Sequence, residues 1–546
     1  MTSNDNNDSE YYFTINHFSQ VDFAKELTKS DSSNVYSEGS SNSSNSSNSS
    51  NSSNSSNSSN SSNSSNSSNS SNTSNSSNSS NSSNKTDSSD KLNDTNKSDE
   101  NIDTESTIES DALRIDPDDL FNTKTNGNEF YGEVLKNQYL ILKKLGYGSF
   151  GSVWMAYDVE NNNLVAVKIV NPQDYKEGML ELQIYKKLND LDTTYLLTMI
   201  ECFQVTPIHS KYYEDEYKEK NKKERNHIVI ILPLMACSTF DLLKCDLYED
   251  GLPLEVCKQI IKQTLYGVRE LEKNNLTHTD LKPENILVCG LNREAEILLQ
   301  TIQDINIKNV HKSHLEKLMI DKPNVSNSDK WLTSYKLYKE ITKTIINFIK
   351  NDMKDVKKMM KDCKVASKYI ENVKIKICDF NLVLDTKKHL DNKEIQLQTR
   401  YYRAPEIIIG SGLHSKTDYW SIGCILFELL TGDILFDPDK DKVRSRDVHH
   451  MYLIEELVGP VSKTMLIEAR NYKKLYDSKG YLQNVGKKVK RWELKDVMKE
   501  NYDNLGFDDI IIKNIIRFIN STLNVIPDNR PNIKTMLINI NNIDNQ

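Results

Sequence analysis

An α+β fold is what this 546-residue sequence predicts, and three observations predict it. Short alternating runs cluster early: Tyr139-Leu140-Ile141-Leu142, Val153-Trp154-Met155-Ala156 and Val165-Ala166-Val167-Lys168 each read as strands. Helical spacing comes next, in Met179-Leu180-Glu181-Leu182-Gln183-Ile184-Tyr185-Lys186-Lys187-Leu188. It returns from Ser328 onward, where Trp331, Tyr335, Tyr338, Ile345, Ile349, Met353, Val356 and Met360 recur mostly at steps of three and four. The third observation concerns the glycines between the first two runs. A second strand succeeds them, where a dinucleotide site would need a helix.

Those glycines form Gly146-Tyr147-Gly148-Ser149-Phe150-Gly151-Ser152-Val153. Without a Cβ, such a loop lies close over a triphosphate with its N–H groups facing the oxygens. Lys168 ends the third strand, placed to reach the α- and β-phosphates. A buried lysine needs an acidic partner. Glu181 on the amphipathic helix is the expected one, with Glu177 the rival one turn earlier.

The densest chemistry lies in His278-Thr279-Asp280-Leu281-Lys282-Pro283-Glu284-Asn285. Asp280 can accept a proton from a hydroxyl, Lys282 can neutralise charge on a phosphate in flight, and Asn285 can hold a metal ion. A short apolar strand, Lys374-Ile375-Lys376-Ile377-Cys378, then delivers Asp379-Phe380-Asn381. Asp379 suits a magnesium that bridges phosphates. Asn381 stands where glycine is the usual residue, and asparagine's tolerance of left-handed backbone angles is expected to preserve the turn.

Taken together, these motifs resemble the eukaryotic protein kinase family over roughly 139–538. Thr399-Arg400-Tyr401-Tyr402-Arg403-Ala404-Pro405-Glu406 looks like the CMGC group of cyclin-dependent, MAP, DYRK and CLK-type kinases. Within it the chain resembles the SR-protein kinases, which phosphorylate Ser in Arg-Ser-rich splicing factors. Three features carry this: Thr279 in place of the usual Arg, Thr431-Gly432-Asp433-Ile434-Leu435-Phe436-Asp437-Pro438, and an insertion at about 290–372 between the catalytic loop and Asp379.

The resemblance implies a two-lobed kinase fold with a small β-rich N-lobe and a larger helical C-lobe. They would join at a hinge near Pro233-Leu234-Met235, with Leu232 at the back of the nucleotide pocket. It implies ATP and Mg2+ as cofactors. Lys168, Glu181, Asp280 and Lys282 would be catalytic. Leu145, Gly146, Gly148, Gly151, Val153, Ala166, Lys168, Pro233 and Met235 would bind the nucleotide, and Asn285 and Asp379 the metal. Asp418 would steady the catalytic loop, and Glu406 with Arg530 would form a buried structural ion pair. The reaction implied is transfer of the γ-phosphate to Ser/Thr hydroxyls of proteins, Lys282 favouring those acceptors, with Arg/Ser-containing proteins as candidate substrates. A scaffolding pseudokinase is the alternative, supported only by Asn381. A small-molecule or lipid acceptor is disfavoured by the peptide-binding segment 399–406. Thr279 cannot grip an activation-loop phosphate, so activity without that phosphorylation is expected. In the region 437–450, Asp447 remains but His449 replaces an acid, so Arg-rich substrates should be held less firmly than in the family.

Composition bounds the rest. The net charge is −9, of which residues 1–129 carry −13 and the remainder +4. From Asn42 to Asn84 asparagine recurs at every third position among hydroxyl residues, a tract with almost nothing to bury. Residues 1–129 are therefore expected to be a disordered acidic tail. The insertion's apolar stripe is expected to pack on the large lobe or against a partner, and 212–226 to be an exposed loop. The eight cysteines show no C-x-x-C pair and read as thiols in a reducing compartment. No secretory or membrane-spanning run stands out. The expectation is an intracellular monomer, cytoplasmic or nuclear (in the host if viral), acting on proteins and not on nucleic acid. Lys487 to Arg491 is read as a solvated basic face.

Overall fold

The computed structural model describes residues 130–544 apart from 149, 192, 206–225, 249, 352, 354–369, 390–396, 440–443, 468 and 502–505. The acidic tail, nearly all of the 212–226 loop, and Val356 and Met360 of the apolar stripe lie outside the described residues. Six strands build one antiparallel sheet: β1 (Val134–Leu135), β2 (Tyr139–Gly148), β3 (Gly151–Asp158), β4 (Asn163–Val170), β5 (Glu201–Val205) and β6 (His227–Pro233). Their spatial order is β1-β2-β3-β4-β6-β5.

Period-two alternation splits each strand between two faces. Tyr139, Ile141, Trp154, Ala156, Val165 and Val167 pack on one face with Val229, Ile231 and Phe130. Leu140, Leu142, Met155, Tyr157 and Leu164 occupy the other. Helix α1 (Tyr175–Asn189) comes after β4 and buries Glu181, Leu182, Tyr185 and Leu188 at helical spacing.

The second lobe is helical. Its centre is α2 (Leu254–Lys273) and, later, a helix running Thr417–Thr431 that is buried along its whole length. That second helix is apolar nearly all round, as a core helix must be. Gly423 lets it approach the helix Asp509–Thr522, since a Cβ there would come within 2.3 Å of the Thr522 hydroxyl. Between these come β8 (Leu276–Thr277), β9 (Ile286–Val288), β10 (Ile375–Ile377) and β11 (Leu384–Asp385), with β7 (Cys237–Ser238) at the lobe junction. β10 pairs with β9, and β11 with β8. This two-lobed architecture is the one the sequence predicts.

The insertion leaves after β9 and returns at β10, two paired neighbours, so it can be long without disturbing either. It forms α3 (Arg293–Ile305), α4 (Ile307–Asp321) and α5 (Asn327–Asn351). Its packing corrects the expectation. The stripe of Tyr338, Ile345, Ile349 and Met353, with Ala295, Leu298 and Ile302, covers the exposed apolar face of the small lobe's sheet, not the large lobe. The physical reason is that Leu140, Leu142, Met155, Tyr157 and Leu164 would otherwise face water. Polar contacts fix the register: Lys143 to Glu294 at 2.7 Å, Lys339 to Glu133 at 2.9 Å, and Asn137 to the Trp331 carbonyl at 3.1 Å.

Among the described residues six cysteines are free thiols, Cys257 and Cys424 of them fully buried. Cys245 departs from the all-thiol expectation, being disulfide-bonded. Among the described residues, no helix is long and apolar enough to cross a membrane.

Candidate active site

The cleft between the lobes is built from β4, α1 and the turns after β8 and β10. Lys168 points to the cleft because Val165 and Val167 take the opposite face of β4. Its Nζ lies 2.6 Å from Glu181 Oε1 and 3.1 Å from Asp379 Oδ1. Glu177 is exposed in the first turn of α1, so the rivalry resolves to Glu181. Burial works against the Lys168 charge, yet Glu181 and Asp379 hold its pKa well above the usual lysine range. Burial likewise opposes the Asp379 charge, but Lys168 keeps that carboxyl below its ordinary value.

Asp379 is brought beside the catalytic loop by strand pairing. Ile377 pairs with Ile286, and the Cys378 N–H donates to the Asn285 carbonyl at 3.0 Å. Phe380 anchors the turn from below, edge-on to Tyr185 of α1 and to His278. The turn departs from expectation at Asn381. The left-handed angle belongs to Asp379, at φ 66°, and Asn381 is not among the positive-φ residues. Asparagine's left-handed tolerance is therefore not used, and its amide oxygen is buried without a hydrogen-bond partner.

Asp280 is held from three sides. Its Oδ1 accepts from the Thr399 N–H at 2.9 Å and the Thr399 hydroxyl at 2.7 Å, and its Oδ2 lies 3.0 Å from Lys282 Nζ. Burial would lower the Lys282 pKa, but Asp280 and Glu284 raise it overall. Asn285 donates its Nδ2 to the Asp280 carbonyl at 2.9 Å, and among the described residues no hydrogen bond engages its amide oxygen. The backbone beneath is pinned by Asp418, which accepts from the N–H groups of His278 and Thr279 at 2.7 and 2.9 Å. Thr279 takes a left-handed angle, φ 66°, and donates its hydroxyl to the Leu382 carbonyl at 2.6 Å. Arg530 grips both oxygens of Glu406 at 2.7 Å, with both side chains buried.

Similarity to known proteins decides the family. Residues 139–304 and 352–539 fit the model of the protein kinase domain. The chain belongs to the protein kinase family. A serine/threonine-protein kinase SRPK of Physarum polycephalum is 29% identical over 406 residues, spanning 71% of this chain and 84% of its own. Protein kinase dsk1 of Schizosaccharomyces pombe is 25% identical over 461 residues, spanning 74% and 80% respectively. L205 of Acanthamoeba polyphaga mimivirus is 27% identical over 496 residues, spanning 74% and 87%. The chain is a serine/threonine protein kinase, and SR-protein kinases are among the proteins it is similar to.

Of the nucleotide-side residues, Ala166 pairs with Leu232 and Val165 with Pro233 across β4 and β6. Met235 lies past the last paired residue, so the sheet does not engage its N–H and C=O. Gly146 pairs with Val153, and Gly148 with Gly151, at the turn of β2 and β3. Leu145 stands beside them, 43% exposed. A Cβ at Gly151 would meet the Ile169 carbonyl oxygen at 2.1 Å, whereas at Gly146 and Gly148 nothing lies within 4 Å. Those two glycines open onto free space, as a cradle for phosphate requires. For a metal, the oxygens of Asp379 and Asn285 are hard donors suited to Mg2+. Among the described residues no group of three or more His, Cys, Asp or Glu gathers to hold a metal ion. Such an ion would therefore depend on phosphate oxygens as well. The sequence missed Thr399 as a partner of Asp280. Only its place at the start of the peptide-binding segment hinted at the contact.

Proposed function

We propose that this kinase transfers the γ-phosphate of ATP to Ser/Thr hydroxyls with Asp280 as proton acceptor. The observation that carries the reading is the convergence of Asp280, Lys282 and Thr399 within 3.1 Å of one another, beside Asn285. The acceptor hydroxyl approaches Asp280, whose carboxylate is kept oriented by Thr399 and takes the hydroxyl proton as the oxygen attacks. Lys282 faces the same carboxylate and neutralises charge developing on the phosphoryl oxygens. Lys168, fixed by Glu181, holds the α- and β-phosphates. Pro233 and Met235 supply backbone to adenine, with Leu145, Val153 and Ala166 enclosing it. Asn285 and Asp379 are the residues that would hold Mg2+, which supplies charge neutralisation on the phosphates when bound.

For substrate, we infer a Ser preference with nearby basic residues, but weak handling of long Arg-Ser repeats. The acid that would serve an Arg-rich peptide is already engaged, since Arg400 Nη1 lies 2.5 Å from Asp447 Oδ1. Asp439 adds negative charge near Asp437, and Arg446 and His449 offset it in part. Each exposed guanidinium–carboxylate pairing denied to the peptide removes about 0.2–1 kcal/mol. The test is phosphorylation of an Arg-Ser repeat peptide, a Ser-Pro peptide and a simple basic Ser peptide with labelled ATP. The basic Ser peptide should match or exceed the repeat. A clear Ser-Pro preference would overturn the substrate reading, and no transfer to any peptide would overturn the catalytic one.

A further inference from the structure

Charge is segregated along this chain far beyond its net value. Residues 460–492 hold 9 Lys/Arg against 2 Asp/Glu, a net +7, whereas 87–119 hold 3 against 12, a net −9. The cationic segment is well defined. Tyr476 bridges Leu482, and the Gln483 amide donates to the Lys473 carbonyl at 3.3 Å, which lays the first run of lysines beside the chain leading to the second. Arg491 donates to the Leu457 carbonyl at 2.8 Å, and the Trp492 N–H to the Glu456 carbonyl at 2.9 Å, fastening the second run to the helix Arg446–Leu457.

Lys473, Lys474, Lys487, Lys488 and Lys490 are all exposed, and none of their side chains has an ion pair or hydrogen bond within the described residues. Of the neighbouring acids, Asp477 accepts from the Lys479 and Tyr481 N–H groups at 2.9 Å, and Glu493 lies 3.3 Å from Lys495 and 3.8 Å from Arg491. Beside Arg491 opens a cavity of about 210 Å³, lined by Glu493, Asn520 and Asn524 as well as by Leu457, Val458, Leu523 and Val525. A ligand for this surface carries several carboxylates.

We propose that the occupant is the chain's own acidic segment, residues 87–119, docking in cis on the 460–492 surface. That segment interleaves its carboxylates with Ile102, Ile108, Leu113 and Ile115. Reach is sufficient. Asp103 precedes Phe130 by 27 residues, which extend to about 90 Å, against a domain about 55 Å across. Tethering also gives the segment an effective concentration on the order of millimolar, ahead of free acidic peptides. Because the lysines are exposed, the contact weakens as the screening length shrinks from about 10 Å at 0.1 M salt to about 3 Å at 1 M.

The experiment is zero-length carbodiimide crosslinking of the full chain, read by mass spectrometry, on a mixture of light and heavy isotope-labelled protein. Links from Asp or Glu of 87–119 to Lys487, Lys488 or Lys490 within one isotopic form are expected, with at least tenfold loss at 1 M salt. They should fall at least tenfold in the Lys473→Glu/Lys474→Glu variant, which keeps all three linking lysines. They should fall as far when Asp116, Asp118 and Asp119 become Asn and links are read from the remaining acids of 87–111, a change that leaves the folded domain untouched. Links that persist in either variant, that join differently labelled chains, or that run to other surfaces overturn the proposal. So does an absence of links, with or without binding of a single-stranded RNA oligonucleotide that depends on those three lysines.

Discussion

Lys143 of β2 and Glu294 of the insertion meet at 2.7 Å, with side chains only 15% and 6% exposed. The ion pair joins a small-lobe strand to a helix that starts just past the hinge, where Asn292 donates to the Ala236 carbonyl at 3.0 Å. The insertion is thus part of the small lobe's core. Glu294→Ala would leave Lys143 without its partner, and removing one member of a buried pair costs about 3–5 kcal/mol. Ile349→Ala, at a fully buried site in the same layer, should cost about 2–5 kcal/mol. Replacing both partners, Lys143→Met with Glu294→Leu, should recover most of the stability that the single substitution at Glu294 removes. Chemical denaturation of the three variants checks this.

Much of the fold was legible because the motifs tie distant parts of the chain to one chemistry. Lys168, Asp280, Asn285 and Asp379 each carry a charge or amide whose spacing has no other ready use. The illegible remainder depended on partners that periodicity cannot name. The stripe of Tyr338, Ile345 and Ile349 declares that it must be covered, but Leu140, Leu142 and Met155 declare the same, and only tertiary structure joins the two. Asn381 misled for a related reason: the motif marks a turn, while the left-handed residue is its neighbour-but-one, Asp379. Thr399 went unassigned because its two hydrogen bonds to Asp280 span 119 positions.

Asp280→Asn should lower turnover by about 10²–10⁴ while ATP affinity changes little, because general-base help is worth that much. The amide keeps the shape and still accepts from Thr399, but it cannot take a proton. Single-turnover phosphorylation set beside nucleotide binding separates the two effects. A rate near wild type would remove Asp280 from its role.

Thr279 ties the catalytic loop to Leu382 through a 2.6 Å hydrogen bond, and its neutral side chain offers no charge to grip a phosphate. The activation segment, from Asp379 to Glu406, is only 28 residues. Phosphatase-treated enzyme should keep its full activity. Thr279→Val, which leaves the Leu382 carbonyl unpaired, should cost about 1–3 kcal/mol of stability. Inactivation by phosphatase, reversed by an upstream kinase, would contradict the first expectation.

Glu428 lies in the buried helix Thr417–Thr431, where the Tyr402 hydroxyl donates to its Oε2 at 2.6 Å. Burial pushes its carboxyl from 4.5 up to about 8, with Glu284 and Asp433 adding to the rise against the Tyr402 hydrogen bond. Which state holds the proton sets the sign. Below pH 4.5 both states are protonated and the group favours neither. Between 4.5 and about 8 the folded protein retains a proton that the unfolded chain has released, so stability falls as pH rises and levels off above 8. The slope from one such group is about 1.4 kcal/mol per pH unit. Glu428→Gln keeps an acceptor for Tyr402 and removes the titration. Wild type and variant should melt alike near pH 5, and the variant should pull ahead steadily up to pH 8. Thermal unfolding across that range decides it: parallel melting curves for the two proteins would mean that Glu428 keeps an ordinary carboxylate pKa in the fold.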